Sequence, residues 1–172
     1  QSFVHLVSNY HMKGDATWLD STQLKNYVDR AKAIAPTMLG AKGADIKLVD
    51  AYNPSKSSNL YDFKAKYTIL VFWDPDCGSC QKEVPALDSV YKANNLAKYD
   101  AQFYSVPLHT SLETIHNKID KMGVKHWKHN IDVVGNNNIK ENYDAIATPK
   151  IYILDEDKKF IGKGINHESL GG

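Results

Sequence analysis

The spacing of apolar positions changes several times along the chain, and each change predicts an element. Phe3, Val4, Leu6, Val7 and Tyr10 form one apolar patch, and Lys13-Gly14-Asp15 breaks it. Asp20, three residues before Gln23, fits a capping box. Leu24, Tyr27, Val28, Ala31 and Ala35 then recur at helical spacing, and Pro36 marks an end. Residues 1–40 are expected to be a helical segment, an appendage or the tail of a preceding region. From Ala41 onward the pattern differs.

Positions 46–52 alternate loosely, and Asn53-Pro54-Ser55 predicts a turn. Leu60, Tyr61 and Phe63 make a short apolar patch. The continuous run Thr68-Ile69-Leu70-Val71-Phe72-Trp73 predicts a buried strand, closed by the turn Asp74-Pro75-Asp76. A helix is expected from there to about Leu96, because Val84, Leu87, Val90 and Tyr91 keep the helical period. Positions 101–108 predict a second buried strand. Leu112, Ile115, Ile119 and Met122 predict an amphipathic helix that Gly123 ends. A short helix is expected over 136–143. Thr148-Pro149 introduces a strand over 151–154, and the turn 155–157 leads to a hairpin partner over 159–165. A final helix is expected to be short or missing. Strands alternating with helices imply an α/β sheet.

Composition narrows the class. The chain has 172 residues, 42% hydrophobic and 24% charged, which suits one ordinary core. The net charge of +1 gives no reason to expect a nucleic-acid or anionic-membrane partner. No apolar stretch is long enough to span a bilayer. The segment after Gln1 lacks a basic n-region and a clean apolar h-region, so it is not expected to be a signal peptide. A leader already removed, or excision from a longer chain, is expected instead.

The chemistry centres on Cys77 and Cys80, the only two cysteines. They are set as Cys-Gly-Ser-Cys where the first strand gives way to a helix. A bridge between them closes a loop too small to remove much unfolded-chain entropy, so a redox role is expected rather than a structural one. Cys77, at the helix N-terminus, is expected to be the more acidic, attacking thiol. Cys80, one turn inward, is expected to resolve the mixed disulfide. Gly78 and Ser79 are expected to turn the backbone tightly and offer N–H groups to the Cys77 sulfur, and Pro85 to kink the helix.

Leu70-Val71-Phe72-Trp73-Asp74-Pro75-Asp76-Cys77-Gly78-Ser79-Cys80-Gln81-Lys82-Glu83-Val84-Pro85, with Ala147-Thr148-Pro149 before a later strand, resembles the thioredoxin superfamily. The order of elements over about 44–165 is similar to its extracytoplasmic branch of cytochrome c maturation reductases and peroxiredoxin-like domains. The resemblance implies a thioredoxin-like fold over 41–172, with a central mixed sheet flanked by helices. It also implies a cis Pro149 beside the cysteines, exposing the backbone of Thr148 to an extended substrate. Trp73, Asp76, Gly78, Ser79, Thr148 and Pro149 become the expected substrate-binding set. The segment Met12-Lys13-Gly14-Asp15-Ala16-Thr17-Trp18-Leu19-Asp20 resembles one preceding such domains in multidomain Bacteroidetes proteins.

Three positions depart from the family pattern. The buried aspartate of thioredoxin is replaced by Val71. Glu83 matches the acid of the cytochrome-maturation branch and is the expected proton carrier for Cys80. The residue before the nucleophile is Asp76 where tryptophan is usual, and with Asp74 it should oppose a thiolate at Cys77. The Gly-Ser dipeptide lacks the histidine found in strong oxidants. These last two points favour a reductant or isomerase.

The implied function is disulfide reduction on protein substrates by an extracytoplasmic enzyme of the periplasm or cell envelope. It would be a monomer using the Cys77–Cys80 disulfide as its only redox group, with no metal or organic cofactor. A membrane or periplasmic reductant would supply electrons. The competing readings are a redox-gated docking or sensor module, and a metal-transfer protein. His116, His126 and His129, with Trp127, are expected to form a solvated surface rather than a metal site. A copper chaperone would need Cys-x-x-x-Cys, and a peroxidase a threonine where Asp74 stands.

Overall fold

The strand expected after residue 67 is the spine of the molecule. In the computed structural model, which describes residues 37–135 and 137–171, it runs over Tyr67–Trp73 (β3) and is buried along its whole length. Its odd and even residues serve two different cores, as the two-residue period of a strand requires. Tyr67, Ile69, Val71 and Trp73 enter one, and Leu70 and Phe72 the other.

The other strands are β1 (Val49–Asp50), β2 (Asn53–Ser57), β4 (Ala101–Pro107), β5 (Lys128–Ile131), β6 (Lys150–Leu154) and β7 (Phe160–Gly162). Among the described residues the sheet order is β2-β1-β5-β4-β3-β6-β7. β3, β4 and β5 are parallel neighbours, whereas β6 and β7 and the β1–β2 hairpin join antiparallel, so the sheet is mixed. The helices are α1 (Gly78–Ala93), α2 (Leu112–Met122), α3 (Ile139–Tyr143) and α4 (His167–Gly171). Cys80, Val84 and Leu87 of α1, Ile115 and Ile119 of α2 and Leu170 of α4 pack on one face. Ile139 and Tyr143 of α3 pack on the other.

Local chemistry accounts for the helix ends. Ser111 caps α2 by accepting the Thr114 N–H at 3.2 Å, and Gly123 closes it at φ +71°, a conformation glycine adopts without penalty. The helix α1 continues through Pro85 to Ala93, short of the Leu96 expected; Asn95 is left-handed and Leu96–Tyr99 form a separate 3₁₀ turn.

Two expectations change. Asn53-Pro54-Ser55 is strand, and the turn lies two residues earlier, where Asp50 Oδ1 accepts the Tyr52 N–H at 2.8 Å. Pro54 is tolerated because β2 is an edge strand with no obligatory donor at that point. The segment 128–131 is a strand between β1 and β4, although Lys, His and Asn are poor strand formers. Accordingly, Trp127 and His129 are buried and are not the solvated surface expected of them. The helical reading of 1–40 lies outside the described residues over 1–36; its last four residues, Thr37–Gly40, lead through a turn to β7, where the Gly40 N–H donates to the Phe160 carbonyl at 2.7 Å.

Candidate active site

β3 ends at Trp73, and the next four residues form a tight, self-bonded turn. Asp74 Oδ1 accepts the Asp76 N–H at 2.8 Å, and the Asp74 carbonyl accepts the Cys77 N–H at 3.0 Å. The turn delivers Cys77 to the N-cap of α1 with extended backbone, φ −89° and ψ 117°. There its sulfur takes the place of a capping oxygen and accepts the Cys80 N–H at 3.2 Å. Both cysteines are free thiols. The Cys77 thiol is half-buried and lies 3.5 Å from the Thr148 carbonyl, and the Thr148–Pro149 bond is cis.

The two sulfurs differ in character. Burial opposes charge on Cys77, but hydrogen bonds from Cys80 and Thr148 and from the backbone N–H groups of Ser79 and Cys80 outweigh it. Its pKa is therefore held below the ordinary thiol value. Cys80 is fully buried. Burial first, and then the neighbouring Cys77 sulfur, push its pKa up to about 12. Val71 lies in the same core cluster, so an apolar side chain stands where thioredoxin has an acid.

The other expected site residues separate into three groups. Ser79, Thr148 and Pro149 surround Cys77: Ser79 and Pro149 line an open groove of about 620 Å³ beside it, which continues past Glu83 to Ile165 and Asn166. Gly78 is exposed, and nothing lies within 4 Å of where a Cβ would project. Its φ is not in the left-handed region, so no turn requires glycine there; what it provides is clear space at the helix tip.

Trp73 is interior, 1% exposed, and supports the site from below. Its indole N–H donates to Ser105 Oγ at 2.7 Å; the Ser105 hydroxyl lies 2.8 Å from His129 Nδ1, and His129 Nε2 lies 2.7 Å from the Val124 carbonyl. A carbonyl only accepts, so Nε2 carries the ring proton and the chain runs in one direction from Trp73 to Val124.

Asp76 and Glu83 each meet a histidine. The exposed Asp76 carboxylate is 3.3 Å from His109 Nε2. His109 Nδ1 accepts the Ser111 N–H at 2.9 Å, which leaves Nε2 as the protonated nitrogen facing Asp76. The largest influences on the Cys77 thiol are burial and the hydrogen bonds from Cys80, Thr148 and Ser79. Asp74 Oδ1 is engaged by the turn and the Asp76 carboxylate faces His109, so neither of the two expected opposing charges is without a partner of its own. Glu83 accepts hydrogen bonds from the backbone N–H and ring of His167 on α4. Ser105, His109 and His167 carried no signal in the chain beyond being isolated polar residues, and His129 carried only its His-x-x-His spacing from His126.

The remaining histidines among the described residues are occupied by protein partners. His126 Nε2 is 2.8 Å from Asp88, and His116 Nε2 is 2.7 Å from the Ala51 carbonyl. Among the described residues, no three His, Cys, Asp or Glu side chains converge as a metal site would need.

Comparison with known proteins gives this arrangement its class. A thioredoxin-like family model matches residues 65–160, more than half of the chain. The chain belongs to the thioredoxin-like family. A domain of a possible thiol-disulfide isomerase from Cytophaga hutchinsonii is 34% identical, with 78% of this chain and 88% of that one covered and a TM-score of 0.69. The thioredoxin domain of a thiol-disulfide oxidoreductase from Bacteroides vulgatus is 25% identical over 77% of this chain and 92% of its own, with a TM-score of 0.68. Thioredoxin-like protein YneN of Bacillus subtilis is 28% identical over 103 residues, 59% of this chain; the match spans 57% of the length of that relative. These relatives support a general redox function of the thiol-disulfide oxidoreductase class.

Proposed function

We propose that this domain reduces disulfides in protein substrates of the cell envelope, acting as a monomer with the Cys77–Cys80 pair as its only redox group. The observation that carries the reading is the asymmetry of the two sulfurs. Cys77 is accessible and stabilised as a thiolate, whereas Cys80 is buried and holds its proton.

The Cys77 thiolate attacks one sulfur of a substrate disulfide. A Cys77–substrate bond forms, the substrate S–S bond breaks, and the first substrate thiolate leaves. Cys80 then gives its proton to Glu83 and attacks Cys77. The Cys77–Cys80 bond forms, the mixed disulfide breaks, and the second substrate thiolate departs and is protonated. Two electrons pass from the pair to the substrate, and an external dithiol donor of the envelope restores the pair. Thr148 and Pro149 border the entry to Cys77, and the open space over Gly78 leaves room for an extended chain.

The absence of histidine between the cysteines favours a reducing pair, with a potential nearer thioredoxin's, roughly −270 mV, than that of a strong oxidant, roughly −120 mV. The deciding experiment is Cys80→Ser with a disulfide-bonded protein such as insulin. Trapped Cys77–substrate adducts, together with turnover by the unsubstituted protein under a dithiol donor, are the expected result. A reducible pair that neither turns over nor traps would instead mean a docking or sensor module.

A further inference from the structure

Glu83 is one turn along α1 from Cys80, and its carboxylate is tied to a part of the chain 84 residues away. Oε1 accepts the His167 backbone N–H, and His167 Nδ1 lies 2.9 Å from Oε1 and 2.8 Å from Oε2. Carboxylate oxygens accept, so Nδ1 carries the ring proton and a second proton would enter at Nε2. Glu83 lines the groove that Ser79 and Pro149 also border; its side chain is 17% exposed and that of His167 38%, so the pair is open to solvent.

We infer that His167 is a positioning residue for the exchange reaction: it holds the Glu83 carboxylate and, through its own charge, sets how readily Glu83 takes a proton from Cys80. This rests on the proton-carrier role of Glu83 proposed above. An imidazolium at His167 favours the Glu83 carboxylate and opposes its protonation; a neutral ring leaves the carboxylate free to accept. The other charged or titratable groups lining the same groove are Asp144, Lys150, Tyr152 and Lys163. Lys150 is within 3.7 Å of Asp144, so that pair is largely self-compensating. His167 is the group in direct contact with Glu83.

The test uses the whole reduced chain. Stopped-flow reaction with dithiobis(nitrobenzoate) gives two releases of nitrothiobenzoate, the second reporting attack by Cys80. NMR follows the Glu83 carboxyl carbon against pH. In His167→Gln, which removes the ring that faces the carboxylate, the Glu83 titration should move to higher pH, and the acidic limb of the second phase should move with it. In His167→Lys, which keeps a cation at every accessible pH, both should stay at or below the unsubstituted protein's values. If His167→Gln folds poorly, the unsubstituted protein still decides the matter. Its Glu83 signal should show a second inflection where His167 titrates, and a single inflection overturns the inference.

A limb and a Glu83 titration that ignore both substitutions also overturn it, while leaving the proton-carrier role intact. Glu83→Gln separates the two readings. It should slow the second phase at least about tenfold and abolish the limb. An unchanged second phase would remove Glu83 from the mechanism, and the His167 inference with it. Cys80→Ser trapping would still stand by itself as evidence of exchange.

Discussion

Ser105 Oγ on β4 lies 2.8 Å from His129 Nδ1 on β5, and this contact joins a strand legible in the sequence to one that is not. It completes a buried chain of donors from the Trp73 indole to the Val124 carbonyl, directly beneath the turn that carries Cys77.

His129 is almost fully buried, and burial pulls its pKa down to about 4 from 6.5. Between those values the unfolded chain binds a proton that the folded chain refuses. Stability therefore rises with pH across that window and is lost as pH falls from about 6.5 to 4. The loss attributable to His129 is at most about 3 kcal/mol. Chemical denaturation at several pH values should show this slope, and His129→Gln should flatten it. A slope that persists unchanged in the variant would assign it to other groups.

Ser105→Ala should leave both the Trp73 N–H and His129 Nδ1 without a partner inside the core. The expected cost is about 1–3 kcal/mol, and Trp73 fluorescence should change with it. Ser105→Thr keeps the hydroxyl and should restore part of the loss.

Alkylation should distinguish the two thiols. In the native protein, iodoacetamide should modify Cys77 with an inflection below the ordinary thiol value of 9.0, and Cys80 only at far higher pH or after unfolding. Mass spectrometry of single-cysteine variants reads this directly. Preferential labelling of Cys80 would reverse the assigned roles.

Asp76→Asn should change the reduction potential of the pair by less than about 20 mV, because the carboxylate is exposed and faces His109. A rise of about 30 mV or more would mean that its charge does reach the Cys77 thiolate.

Asp88 is a buried acid with three donors: Trp127 Nε1 at 2.9 Å, His126 Nε2 at 2.8 Å and Lys92 Nζ at 3.0 Å. Burial opposes its charge, but the donors prevail and hold its pKa below 3.8. Its contribution is present above 3.8 and lost only as pH falls through the lower folded value, outside the His129 window. Asp88→Ala should cost about 3 kcal/mol, and Lys92→Ala less than about 0.5 kcal/mol.

Local pattern was enough wherever one short segment carried both structure and chemistry. The apolar run of β3, the capping position of Cys77, the period of α1, the Gly123 stop and the thioredoxin-like class were all legible, because each depends on residues close together in the chain. The strand β5 was not legible. Its residues are poor strand formers, and it exists because β1 and β4 pair with it on either side and its polar side chains find partners there. The site divides in the same way. Cys77, Cys80, Ser79 and the Thr148-Pro149 segment could be named from motif and order, and so could the replacement of the thioredoxin acid by Val71. Motif and order fix which two thiols stand at the tip of α1 and in what order they are presented. Only the tertiary structure decided where the surrounding charges point: Asp76 toward His109, Glu83 toward His167, and Trp73 inward to Ser105. The physical reason is range. A helix cap or a hydrophobic period is set within a few residues, whereas a hydrogen bond between Glu83 and His167 spans 84 positions and exists only after α4 has packed on α1.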